Sequence, residues 1–157
     1  MVKAKAALVW IVDILDKHGI PYQVEGGLAA NCYGSNRELV DIDIFIPSFG
    51  FEKISKDVEG YVEFGPEFHT GTHWKLVYQL LNYCGQQIEI CDAGRAEYLD
   101  TQNDTWIKRD IDFTKAKTIG IFGISTKVMR RDDLLEYKGR LNREVDIIDI
   151  EQIKDTE

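Results

Sequence analysis

Apolar residues at the start of the chain recur at helical spacing. Ala7, Leu8, Ile11, Ile14 and Leu15 form a stripe, interrupted at helical intervals by Asp13, Asp16, Lys17 and His18. The pattern predicts a helix over residues 3–18, closed by His18-Gly19. Tyr22 to Val24 then read as a short strand, Gly26-Gly27 as a turn, and Leu28 to Tyr33 as a brief helix ended by Gly34. Leu39 to Ile46 reads as a strand stopped by Pro47, with Val40, Ile42, Ile44 and Ile46 on its core face. A second amphipathic helix follows over Phe51 to Val58, and a short strand over Tyr61 to Phe64.

Alternation of Leu76, Tyr78 and Leu80 against Lys75, Val77 and Gln79 predicts a strand over Trp74 to Leu81. Asn82-Tyr83-Cys84-Gly85 turns it into a partner strand, Gln87 to Cys91, giving a hairpin. Ala116 to Ile121 is another strand candidate. From about Arg130 to Ile153 the period is helical again, with a break near Leu141-Asn142. The expected fold class is α/β (α+β): a mixed sheet with helices packed on one side and C-terminal helices.

With 157 residues, 44% of them hydrophobic, the chain suits one domain, with a core over about 20–124 and C-terminal helices over about 130–153. Lys154 to Glu157 is the expected tail. The charged residues inside the first apolar stretch argue against a signal peptide, and no apolar run approaches the roughly 20 residues that span a bilayer. A cytoplasmic protein is expected. Cys32, Cys84 and Cys91 form no disulfide-framework or Cys-x-x-Cys spacing and suit reduced thiols. A net charge of −8 argues against broad capture of nucleic acid.

Chemistry concentrates in VEGGLAANCYGSNRELVDIDIFIP. Residues two apart on a strand share a face, so Asp41 and Asp43 project together, about 6.5–7 Å apart along the backbone. An amphipathic surface strand would show the same pattern; so would a seat for Mg²⁺, which takes carboxylate oxygens and keeps positions open for phosphates. Gly26-Gly27 stands between strand and helix, either as a plain turn or as a place where backbone N–H groups meet an anion. Arg37, four residues before Asp41, suits a carboxylate or a phosphate.

The combination of strand, Gly-Gly, helix and Asp-x-Asp resembles the nucleotidyltransferase superfamily that includes DNA polymerase beta. It is most similar to small bacterial members related to the lincosamide enzymes and the AbiEii-type toxins, and is strongest over residues 22 to 47. The resemblance implies a third carboxylate on a neighbouring strand. Glu89 in QQIEICDA fits it, with Asp92 in reserve. It further implies two Mg²⁺ ions held by Asp41, Asp43 and Glu89. An NTP, ATP among the candidates, would lie along Gly26, Gly27, Arg37 and Lys138. Gly27 departs from the Ser often found there. In LLEYKGRLNREVDIIDIEQI, Arg143, Asp146 and Asp149 match the family's final helices, or form a helix face of charge pairs.

The implied function is transfer of a nucleoside monophosphate from an NTP to an acceptor hydroxyl. A small-molecule acceptor is favoured. Lys127, Arg130, Arg131, Lys138, Arg140 and Arg143 cluster in sequence and keep tRNA open, as a toxin's acceptor or otherwise; a protein acceptor and a non-catalytic nucleotide-binding module are further alternatives. His69 and His73 have a zinc-like spacing without an evident third ligand. Trp74, Tyr78, Tyr83, Trp106 and Phe113 are candidates for an acceptor pocket or for packing.

Overall fold

The computed structural model describes residues 2–154. Helix α1 (Val2–Lys17) leads into strand β1 (Gln23–Glu25), helix α2 (Gly26–Cys32), strand β2 (Ile42–Ile46) and helix α3 (Gly50–Val58). Strands β3 (Val62–Thr70), β4 (Trp74–Tyr83), β5 (Gln86–Asp100), β6 (Thr105–Lys108), β7 (Lys117–Ile121) and β8 (Ile124–Val128) follow, then helices α4 (Arg131–Leu141) and α5 (Glu144–Lys154). Lys154 therefore belongs to α5; the remainder of the expected tail, 155–157, lies outside the described residues.

The strands form one mixed sheet in the order β3-β4-β5-β2-β1-β8-β7, with β6 also paired to β5. Strand β2 is antiparallel to β1 and parallel to β5, and β1 is parallel to β8. One face is a continuous apolar surface: Ile42, Ile44, Ile46, Ile88 and Ile90 are fully buried, as are Leu8, Ile11 and Leu15 of α1. Each such side chain contributes about 1.5–3 kcal/mol by leaving water, so this layer dominates the stability of the core. The N-terminus of α3 packs on the same face, where a Cβ at Gly50 would meet Ile46 Cδ1 at 2.9 Å. Helix α4 departs from the expected one-sided arrangement. Its Tyr137 reaches the opposite face, where the Arg109 guanidinium lies 4.4 Å from the Tyr137 ring and 4.6 Å from that of Phe45.

Several elements are longer than the periodicity predicts. Strand β5 continues past Cys91 because it bulges: Cys91 opposes Tyr78, while Ala96 opposes Leu76. Strand β3 runs through Gly65-Pro66, a pair that reads as a breaker in sequence but is tolerated on an edge strand. Strand β2 is shorter than predicted, starting at Ile42. Val40 is 74% exposed, so it lies in the preceding loop and not on the core face. The hairpin of β7 and β8 has Phe122 at φ +54, a residue that carries no turn signal.

The β4–β5 hairpin turns through Cys84 and Gly85, both at positive φ, and Gly85 N–H donates to Asn82 Oδ1 at 2.9 Å. Cys84 is exposed, and its left-handed backbone costs about 1–2 kcal/mol, a cost that Asn largely avoids. Cys84→Asn is expected to raise the melting temperature by a few degrees, measured by calorimetry under reducing conditions; an unchanged or lower value would contradict the turn.

Candidate functional site

Pairing register brings the acids together. Glu25, Asp43 and Glu89 are aligned across β1, β2 and β5, so they stand on one row of one face. Asp41, just before β2, joins them from the loop. One oxygen from each of Asp41, Asp43 and Glu89 lies within 4.8 Å of the others. Among the described residues no Lys or Arg forms an ion pair with these three, and the charge of Arg37, spent on Asp149, offsets the repulsion at Asp41 only in part. Burial, followed by the charge of Glu89, holds the Asp41 carboxyl above its ordinary range. Burial, followed by the charge of Asp41 and then Glu89, holds Asp43 well above it. Three converging hard oxygen donors with unmet negative charge fit a hard divalent cation such as Mg²⁺.

Gly26 is required by this packing. It has φ +62, and a Cβ there would fall 2.0 Å from Asp43 Oδ2. The glycine pair is the first turn of α2 and not a separate turn, so N–H groups of Gly26 and Gly27 belong to a helix start. Gly27 is under less constraint: a Cβ would meet Arg37 Nη2 at 3.5 Å and Leu39 at 3.6 Å, ordinary contacts.

Arg37 and Lys138 are bound into an ion network. Arg37 forks onto Asp149, Nε to Oδ1 at 3.0 Å and Nη2 to Oδ2 at 2.8 Å. Lys138 Nζ, almost fully buried, lies 2.9 Å from Asp149 Oδ2 and 3.3 Å from Asp146 Oδ1. Arg143 closes the network on Asp146 at 2.7 Å. Ser35 Oγ also donates to Asp149 Oδ1, so α5 anchors the loop that leads to Asp41. Asp92 lies elsewhere. Its carboxylate accepts from Ser48 Oγ at 2.5 Å and Gly94 N–H at 2.8 Å, and it is aligned with Ile46, not with Asp43.

A cavity of about 430 Å³ opens over the acids, with Gly26, Gly27, Arg37, Lys138 and Arg143 among its walls. Trp74 and Tyr78 line it. Tyr83 instead stacks on Trp10, Trp106 carries the Lys75 ammonium, and Phe113 packs against the smaller core around Phe45. Of the two histidines, His69 reaches the cavity and His73 does not.

Two charged groups beside the acid row escape the sequence patterns. Glu25 is 1% exposed and accepts on Oε2 from Arg109 Nη2 at 2.8 Å and Gln23 Nε2 at 2.9 Å. Its signal was its place directly before Gly26, at the end of a strand. Arg109 follows β6 in a loop and carries no local signal; only the tertiary fold brings it to Glu25.

The architecture is the nucleotidyltransferase fold, a mixed sheet with flanking helices and two C-terminal helices. A provisionally assigned nucleotidyltransferase from Thermotoga maritima (TM1012) superposes with a TM-score of 0.72 at 21% identity, over 88% of this chain and 84% of that one. The lincosamide antibiotic adenylyltransferase LnuA, solved with lincomycin bound, gives 0.61 at 14% identity over 94% of each chain. ANT(2")-Ia in complex with adenylyl-2"-tobramycin gives 0.60 at 14%, over 95% of this chain and 86% of that one. No family model matches the chain, and no curated protein matches it at a significant level. No helix among the described residues is long and apolar enough to cross a membrane.

The ion network has a defined acid sensitivity. Burial alone would raise the Asp149 carboxyl, but hydrogen bonds from Arg37, Lys138 and Ser35 outweigh it and bring the group down to about 2. The folded value lies below the unfolded one, about 3.9. The stabilisation, about 2 kcal/mol, is therefore complete above the unfolded value and is lost as pH falls towards the folded one. Asp149→Asn is expected to lower stability near neutral pH by about 3 kcal/mol, since it takes the forked partner from half-buried Arg37 and one of two carboxylates from buried Lys138. It should also flatten the acid-unfolding profile between about pH 4 and pH 2, followed by denaturant titration at each pH.

Proposed function

We propose that the protein is a metal-dependent nucleotidyltransferase that moves a nucleoside monophosphate from an NTP to the hydroxyl of a small molecule. The observation that carries this reading is the convergence of Asp41, Asp43 and Glu89 beside the Gly26-Gly27 helix start, inside a cavity of ligand size.

In this reading Asp41, Asp43 and Glu89 hold Mg²⁺, two ions when NTP is bound. When bound, the metal supplies charge neutralisation at the attacking and leaving oxygens of an in-line displacement. The chain's own groups position the reactants. Backbone N–H groups at Gly26 and Gly27 face the phosphates, and a close approach is possible because neither residue carries a side chain. Arg37, with Nη2 beside Gly27, and Lys138 add positive potential from their ion-paired positions. The acceptor oxygen bonds to the α-phosphorus, the bond from that phosphorus to the bridging oxygen breaks, and pyrophosphate leaves. Glu89 receives the hydroxyl proton, directly or through water.

Engagement of the basic cluster favours a small acceptor over tRNA. Lys127 bonds to Thr118, Arg130 pairs with Asp133, Arg131 with Asp132, Arg140 with Glu136 and Arg143 with Asp146. Lys138 is buried. The adenylyltransferase LnuA, with lincomycin bound, and ANT(2")-Ia, in complex with adenylyl-2"-tobramycin, share the fold, which supports a small acceptor.

The test compares wild type with Asp41→Asn/Asp43→Asn. Asp43 is raised in the folded state, so without metal its charged form opposes folding, and that penalty grows as pH rises above the unfolded value. In EDTA at neutral pH the variant is expected to melt above wild type, by about 2–4 °C for each kcal/mol relieved. Added Mg²⁺ with NTP should stabilise wild type and leave the variant unmoved. Equal Mg²⁺ and NTP binding in both proteins would overturn the site. Pyrophosphate release on an acceptor panel tests turnover, and labelling of total tRNA would replace the small acceptor.

A further inference from the structure

Pairing register divides the cavity into two chemically different halves. The acid row of Glu25, Asp43 and Glu89 is followed, two residues along the strands, by Phe45, Cys91 and Tyr78, again in register on the same face. Phe45 and Cys91 are buried in the smaller apolar core and form the floor. Beyond them the wall is Leu76 and Trp74, and the Trp74 indole donates from Nε1 to the Tyr137 hydroxyl at 2.6 Å. On the other side of the acid row lie Gly26, Gly27 and Arg37. The polar half suits phosphate, which leaves the apolar half for the acceptor.

One polar atom of this half is unpartnered. Arg109 and Gln23 both donate to Glu25 Oε2, while Oε1 is buried and has no hydrogen-bond partner. Glu25 lines the cavity. Its charge is already balanced by Arg109, whose guanidinium is fixed over Phe45 and Tyr137. No water reaches that oxygen, so Glu25 is a packed wall group bound to Arg109 and presents no open carboxylate to a ligand. The other carboxylates that line the cavity are Asp41, Asp43 and Glu89, the proposed metal ligands. Its cationic linings are Arg37, Lys138 and Arg143. A polycation would find no free carboxylate here.

We propose that the acceptor is a small molecule with a flat apolar body and no cluster of positive charges. Its body rests against Tyr78 and Trp74, above the Phe45 and Cys91 floor. The proposal rests on the nucleotidyltransferase reading for the identity of the acceptor, but the pocket's binding preference can be measured without turnover. It separates this chain from a site built for an aminoglycoside such as tobramycin.

The experiment uses the full chain with Mg²⁺ and a non-hydrolysable ATP analogue, and titrates 7-hydroxycoumarin, 2-naphthol and dihydroxynaphthalene against tobramycin. Saturable binding of at least one flat hydroxylated compound is expected, with no competition from tobramycin. Tyr78→Ala, at a half-buried position and with folding checked by its melting curve, should weaken that binding about tenfold. Binding of none of the three, tight binding of tobramycin, or indifference to Tyr78→Ala would overturn the pocket. Loss of nucleotide binding with aromatic binding intact would instead count against the nucleotidyltransferase reading and leave the apolar pocket standing.

Discussion

Asp149 is the constraint on which the geometry of the site depends. A fully buried carboxylate is tolerable only when its charge and lone pairs are met, and here Arg37, Lys138 and Ser35 do so from two separate parts of the chain. The same contacts tie α5 to the loop that delivers Asp41 to the acid row. Three carboxylates that repel one another cannot set their own spacing. The loop must be held by something stiffer than their mutual forces, and a forked Arg–carboxylate pair with low exposure supplies that stiffness. Lys138 and Arg143 extend the network to Asp146, so both C-terminal helices act as one brace behind the cavity.

The site is thus built in two layers with opposite electrostatic designs. In front, Asp41, Asp43 and Glu89 have no ion-pair partner among the described residues, an unfavourable arrangement that a divalent cation would relieve. Behind, every buried charge in the Arg37–Asp149–Lys138–Asp146 network has a partner. Destabilisation is confined to a few ångströms on a sheet whose other face is filled by Ile42, Ile44, Ile46, Ile88 and Ile90.

What could be read from sequence follows from how local each determinant is. The helices α1 and α3, the β4–β5 hairpin and the break between α4 and α5 obey short-range periodicity or turn chemistry, and they appear nearly where expected. Asp41 and Asp43 stand out by their local spacing, and Glu89 was singled out through the family resemblance with its apolar flanks; that the three converge needed the β2–β5 register. Glu25 and Arg109 were not legible, since the significance of each exists only through the other, 84 residues away. The extension of β5 was hidden by a bulge, and β8 by a turn at Phe122 that breaks the usual residue preference. Arg37 was noticed for its charge, but its fork onto Asp149 depends on α5 folding back over the loop.

Gly26 and Asp43 illustrate a different sort of dependence. The Asp43 carboxylate occupies the space that any side chain at position 26 would need, and the backbone there has a left-handed φ as well. In evolutionary terms the two positions behave as a single character. A descendant that keeps the acid cannot replace the glycine; one that shortens the acid loses the steric reason for it, and only the backbone conformation still selects against change. Among descendants of this chain, drift at position 26 would therefore be an early mark of a lost acid row, visible without any assay.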